Sequence, residues 1–183
     1  LMIKNHRFDQ IFHQHYHYFN LNSLKNLVRR LDCKIISADI NYNFWGGSLM
    51  VAFKKDINKK QLIKSNYKKI DSAINNKYKT FKKHYENLSK KIQKETDIIG
   101  YGAGQMVPSF AYHLKSDLSF LKYIVDDNKN RANQKYPDLK PHIKFFKKNL
   151  VSSKVLITAL DGVNSISKKL KNLKVPHYSP LLN

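Results

Sequence analysis

The sequence predicts an α/β protein on three observations. Residues 97–183 alternate short apolar runs with runs of helical spacing, the first unit holds Gly100-Tyr101-Gly102-Ala103-Gly104 between its strand and its helix, and residues 56–94 contain neither Gly nor Pro. Alternating strands and helices build a parallel sheet wrapped by helices, and a glycine turn after the first strand marks a Rossmann-like layer. The chain divides accordingly into a histidine-rich strand, helix and hairpin segment (1–55), a long helical connector (56–96) and a degenerate Rossmann-like domain (97–183). No internal repeat is present.

The first element predicted is a strand. In FDQIFHQHYHYF, residues 8–19, a period of two puts His13, His15 and His17 on one face with Asp9, Ile11 and Phe19, and Phe12, Gln14, Tyr16 and Tyr18 on the other. Imidazole titrates nearest neutrality, so such a cluster between aromatic walls suits proton transfer with a bound organic molecule. Three alternate histidines can also share a metal ion, but no carboxylate-plus-cysteine set accompanies them, and the metal reading is set aside.

Asn22 or Ser23 then caps a helix in which Leu24, Leu27, Val28 and Leu31 recur at helical spacing. Cys33–Ala38 and Ser48–Phe53 read as a hairpin, joined by a loop with Asn41, Asn43 and the Gly46-Gly47 pair. From Asp56 to about Lys94, Ile63, Tyr67, Ile70, Ile74, Tyr78, Phe81, Tyr85, Leu88 and Ile92 recur every three or four residues. They predict one long helix or a helical pair with a lysine-rich outer face. Beyond it come apolar or helix-like runs at 97–101, 105–114, 120–125, 145–150, 155–159, 163–173 and 175–178.

A glycine turn offers backbone N–H groups at a helix N-terminus, where phosphate is favoured, and Asp126 falls ~20 residues on, where an acid meets a ribose hydroxyl. The fingerprint is incomplete. Gln105 stands where a dinucleotide turn wants glycine, and Ile98 where an S-adenosylmethionine turn wants an acid. Asp126 reads equally well as the turn-forming end of a strand.

A net charge of +21 suggests a polyanionic partner. Lysine outnumbers arginine heavily, however, and Arg is the residue of base readout and phosphate clamps; only Arg7, Arg29, Arg30 and Arg131 are available. Most lysines are therefore expected to form a solvated coat, with some steering a nucleotide diphosphate. A nucleic-acid partner ranks last. One cysteine excludes an internal disulfide framework, no apolar run reaches the ~20 residues of a membrane span, and the opening residues lack a signal peptide's regions. The expectation is a cytoplasmic protein without a membrane partner.

The histidine block, followed by WGGSLMVAF at 45–53, IIGYGAGQM at 98–106 and YIVDDN at 123–128, resembles the C-terminal half of S-adenosylmethionine-dependent sugar C-methyltransferases. These methylate nucleotide-linked keto-deoxysugars. The resemblance covers nearly the whole chain with its blocks in the family order, and the first block is the most specific. In the family that block reads Tyr-His-Glu-His, whose Tyr, Glu and second His line the sugar site, the His being the favoured base. The matching positions here are Phe12, Gln14 and His15, so only His15 carries over. Gln14 hydrogen-bonds without supplying a negative charge, and Phe12 lacks the hydroxyl.

The resemblance implies that His15 is the base, that His13 and Gln14 orient it or bind the sugar, and that Tyr16 and Tyr18 wall the site. It further implies that Gly100, Tyr101, Gly102, Ala103, Gly104 and Asp126 help to hold the nucleotide diphosphate. The family's S-adenosylmethionine domain and a small cysteine-rich zinc region lie upstream of the block, which here begins near Leu1. On the resemblance the chain is therefore expected to be a fragment or one half of a split enzyme. It should bind no S-adenosylmethionine tightly and not turn over alone, the donor site lying in an upstream domain or a separate chain. The alternative is a binding module for a nucleotide or nucleotide-sugar that performs no chemistry.

Overall fold

The structure, a computed structural model, describes residues 1–42, 47–57, 67–150 and 154–182, with backbone alone at 67–72 and 150. A single 3₁₀ turn, Phe8–Gln10, is followed by α1 (Leu21–Arg30), the antiparallel pair β1 (Cys33–Asn41) and β2 (Ser48–Lys55), and α2 (Tyr67–Ile92). Then come β3 (Ile98–Tyr101), α3 (Val107–Leu114), β4 (Leu121–Asp126), β5 (Ile143–Phe145), β6 (Lys154–Ile157), α4 (Val163–Asn172) and β7 (His177–Tyr178).

The five later strands form one parallel sheet in the order β5-β4-β3-β6-β7. Chain order thus runs outward from β3 to β5, then resumes at β6 on the other side, which is the doubly wound pattern of a Rossmann-like layer. Alternation along β3 explains the two cores. Ile98 faces α2 and α3 together with Ile124 and Leu156, meeting Phe81, Tyr85, Leu88, Ile92 and Phe110. Ile99 and Tyr101 face the other way, toward α4, with Val125, Val155, Ile157, Val163 and Leu170. A sheet covered on both faces needs apolar residues at successive positions, which is why these strands read as short continuous apolar runs.

Several expectations need correction. Residues 8–19 are not a strand: after the 3₁₀ turn they run irregularly, with a turn closed by the His15 N–H on the Phe12 carbonyl. Period-two alternation makes a strand only when a neighbouring edge supplies ladder partners, and here the start of the segment is fixed instead by burial of Arg7, Phe8 and Asp9 against the helices. The α1 cap is Asn20, not Asn22 or Ser23; its side chain accepts the Ser23 N–H while Ser23 Oγ accepts the Asn20 N–H, a reciprocal capping box. The hairpin is longer than predicted, since Asn41 pairs with Ser48. Its Asn43 and Gly46, and Ile63 of the connector, lie outside the described residues. The 145–150 run divides into the end of β5 and a 3₁₀ turn.

Candidate functional site

The glycine turn joins β3 to α3 at the point where strand order reverses, the usual seat of a ligand in such sheets. Here the turn is closed by its own neighbours. The Gly102 N–H donates to the Val125 carbonyl at 2.8 Å, and the Ala103 N–H to Asp126 Oδ2 at 2.6 Å. Gly102 has φ +100°, and a Cβ there would fall 2.3 Å from that of Ala159, so the turn packs directly on the chain leaving β6. Thr158 Oγ1 donates to the Gly102 carbonyl at 2.7 Å, and the Tyr136 hydroxyl to that of Gly104 at 2.8 Å.

Asp126 is buried. Its carboxylate also accepts the Asn128 N–H at 2.8 Å and faces Arg131 Nη1 at 3.2 Å. Two backbone donors expected to meet a diphosphate are therefore spent, and the acid expected at a ribose is spent with them. Tyr101 points to the opposite side of the sheet, where its hydroxyl donates to Asp127 and its ring stacks on Phe146 at 5.1 Å. Burial first, and the hydrogen bond to Asp127 second, push this phenol well above its ordinary range.

One face of α3, just beyond the turn, borders a cleft of about 380 Å³. Its far wall is the histidine segment, through Ile11, Phe12, His13 and Gln14; its near wall is Gln105, Met106, Pro108, Ser109, Tyr112 and His113. The segment is pinned there from below. Phe8 packs against the rings of both Tyr78 and Phe81, at 5.3 and 5.6 Å. The Arg7 guanidinium grips Asp9 through two 2.8 Å bonds and also donates to the Leu160 carbonyl at 3.3 Å.

The polar groups of this cleft are mostly unspent. Ser109 Oγ reaches the Asp9 carbonyl at 3.5 Å, whereas His13, Gln14, Gln105, Tyr112 and His113 make no side-chain hydrogen bond among the described residues. His113 is half-buried, its ring 4.9 Å from Phe81, 5.4 Å from Tyr85 and 5.3 Å from Tyr112. Loss of water around it depresses its pKa, so the ring is neutral at pH 7, although the nearby Asp9 charge acts the other way. A hollow of about 360 Å³ between Phe146 and α4 is more open, and the Lys169 ammonium on its rim is already paired with Asp127 at 2.7 Å.

The structure brings Phe12, His13 and Gln14 together with α3 but leaves other expected residues apart. His15 is exposed beside the cleft; its ring lies 4.2 Å from that of Phe12, and its Nδ1 is 3.0 Å from the Gln10 carbonyl. A carbonyl oxygen only accepts, so Nδ1 carries a proton in this contact. Tyr16 is 84% exposed, and Tyr18 is exposed with its hydroxyl on the Gln10 carbonyl. Among the described residues, no group of His, Cys, Asp or Glu is arranged to hold a metal. The α3 wall is new. Its signal in the sequence is Gln105, Ser109 and His113, polar at intervals of four, the first just before α3 and the other two on it.

No protein-family model and no curated protein matches this chain.

Proposed function

We propose that this chain is the substrate-binding, base-supplying part of a C-methyltransferase acting on a nucleotide-linked keto-deoxysugar, and that the cleft between residues 11–14 and α3 is the sugar site. The observation that carries the reading is the convergence of unspent His13, Gln14, Gln105 and His113 between the rings of Phe12 and Tyr112. A hydroxylated ring needs several hydrogen-bond donors and acceptors on apolar walls, which is the composition of this cleft. The family resemblance of the histidine block supplies the reaction.

A sugar carbon becomes a nucleophile only after losing a proton beside a carbonyl. His15 is the base in this reading: its Nδ1–H tautomer leaves Nε2 able to accept that proton, and its ring backs onto Phe12 at the cleft. His13 and Gln14 bind sugar oxygens. The reading stands on proton transfer, which consumes no donor. The diphosphate is assigned to no residue.

The test is exchange of the sugar's acidic C–H in D₂O, followed by NMR with a thymidine-diphosphate 4-keto-6-deoxyhexose. The native chain should bind the probe and accelerate exchange, and His15→Ala should reduce the acceleration by about 10²-fold or more, as expected for loss of a general base. Binding without any acceleration would leave a non-catalytic nucleotide-sugar module. No binding would end the reading.

A further inference from the structure

The cleft holds a second imidazole to which the resemblance assigns no role. His113 has its nitrogens unused among the described residues, whereas His84 Nε2 sits 3.0 Å from the Pro180 carbonyl and His177 is held by Ser167 and the Val175 carbonyl. Its orientation is nonetheless fixed, because Phe81 and Tyr85 from α2 and Tyr112 from its own helix pack around the ring. A held imidazole that lines a cleft and spends no hydrogen bond within the protein is preorganised to give one to a ligand.

We propose that His113 donates a hydrogen bond to the carbonyl oxygen of the bound keto-sugar and stabilises the enolate formed there. This rests on the sugar reading of the cleft. When the base takes the proton from carbon, the C–H electron pair becomes the new carbon–carbon π bond, and the carbonyl π pair moves onto oxygen. His113 keeps its proton and only shares it with that oxygen, so the step balances with no further reactant.

The surroundings suit a neutral donor. The groups facing the ring are Tyr85 from α2, Tyr112 and Ser109 from α3, and the Arg7–Asp9 pair together with His13 from the N-terminal segment. The two opposed charges of that pair bond to each other, and no lone carboxylate touches the imidazole to charge it. A neutral imidazole still donates through its one N–H, the arrangement by which a histidine can polarise a carbonyl.

The experiment uses the full chain with the same thymidine-diphosphate 4-keto-6-deoxyhexose and reads affinity by calorimetry and C–H exchange by NMR. His113→Phe keeps a ring against Phe81 and Tyr85 but removes the donor; His113→Gln restores an N–H. At saturating probe the Phe variant should lose about 10²-fold in exchange, the effect of deleting one oxyanion donor. The Gln variant should recover at least tenfold of that loss. Native exchange in the Phe variant, with exchange abolished by His15→Ala, would overturn the His113 assignment and leave the sugar reading standing. Equal losses in the Phe and Gln variants would overturn it as well, since packing rather than donation would then be the cause. A native chain that neither binds nor exchanges the probe would overturn both.

Discussion

At the scale of single residues, His113 links the cleft to the stability of the fold. Burial disfavours its charged form, so its folded pKa lies below the ordinary 6.5. Between the folded and unfolded values the unfolded chain binds more protons. Its contribution to stability is therefore whole above about pH 6.5 and is lost as pH falls toward the folded value. His113→Phe should accordingly flatten the fall in melting temperature between pH 6.5 and 5 relative to the native chain, measured by scanning calorimetry; parallel curves would show that other groups set that fall. Asp126 teaches a different lesson about what residues reveal. The sequence placed an acid at the end of the second sheet strand, and the structure has it there. A ribose hydroxyl and a backbone N–H both offer it a donor, however, so residue type alone could not say which it meets. Only the positions of Ala103, Asn128 and Arg131 decide that it turns inward.

At the scale of elements, legibility followed how far each pattern depends on distant partners. The long helix was readable because a three-to-four spacing free of Gly and Pro specifies α2 by itself, and Phe81, Tyr85, Leu88 and Ile92 do form its buried stripe. The histidine segment is not legible in the same way because strand pairing is non-local, and among the described residues no strand edge pairs with residues 8–19. What positions that segment is the buried Arg7–Asp9 pair, its side chains 5% and 1% exposed. A buried pair adds little over an apolar substitute, but removing one partner strands the other's charge. Asp9→Ala should therefore destabilise the protein by about 3–5 kcal/mol in urea unfolding, and the double variant Arg7→Met/Asp9→Leu by clearly less. Equal losses in the single and double variants would show that the pair anchors through shape instead of charge. Since Asp9 precedes Ile11–Gln14 directly, the single variant should also loosen the cleft's far wall.

Taken as a whole molecule, the chain joins a tightly packed sheet to a thinly covered appendage. Ile98, Ile124 and Leu156 of the sheet are fully enclosed, whereas Ile36, Met50 and Phe53 of the hairpin remain 62%, 57% and 56% exposed. The hairpin's cover is α1, whose Val28 is its one buried residue and whose Leu27, like Leu31 just after it, is itself exposed. Two antiparallel strands without a third strand or a full apolar cover are marginally stable in water, while a parallel sheet layered on both sides opens only with the global transition. What distinguishes the two parts is buried apolar area. Native-state hydrogen exchange should show this directly, with amides of β3, β4 and β6 protected to the full unfolding free energy and those of β1 and β2 exchanging about 10²-fold faster or more, a gap of roughly 3 kcal/mol. Urea should raise exchange in the sheet steeply and in the hairpin weakly, because each opening exposes surface in proportion to its own size. Equal protection in both parts would mean that the hairpin unfolds only with the sheet, and the division of the molecule into a rigid layer and a loosely held appendage would be wrong.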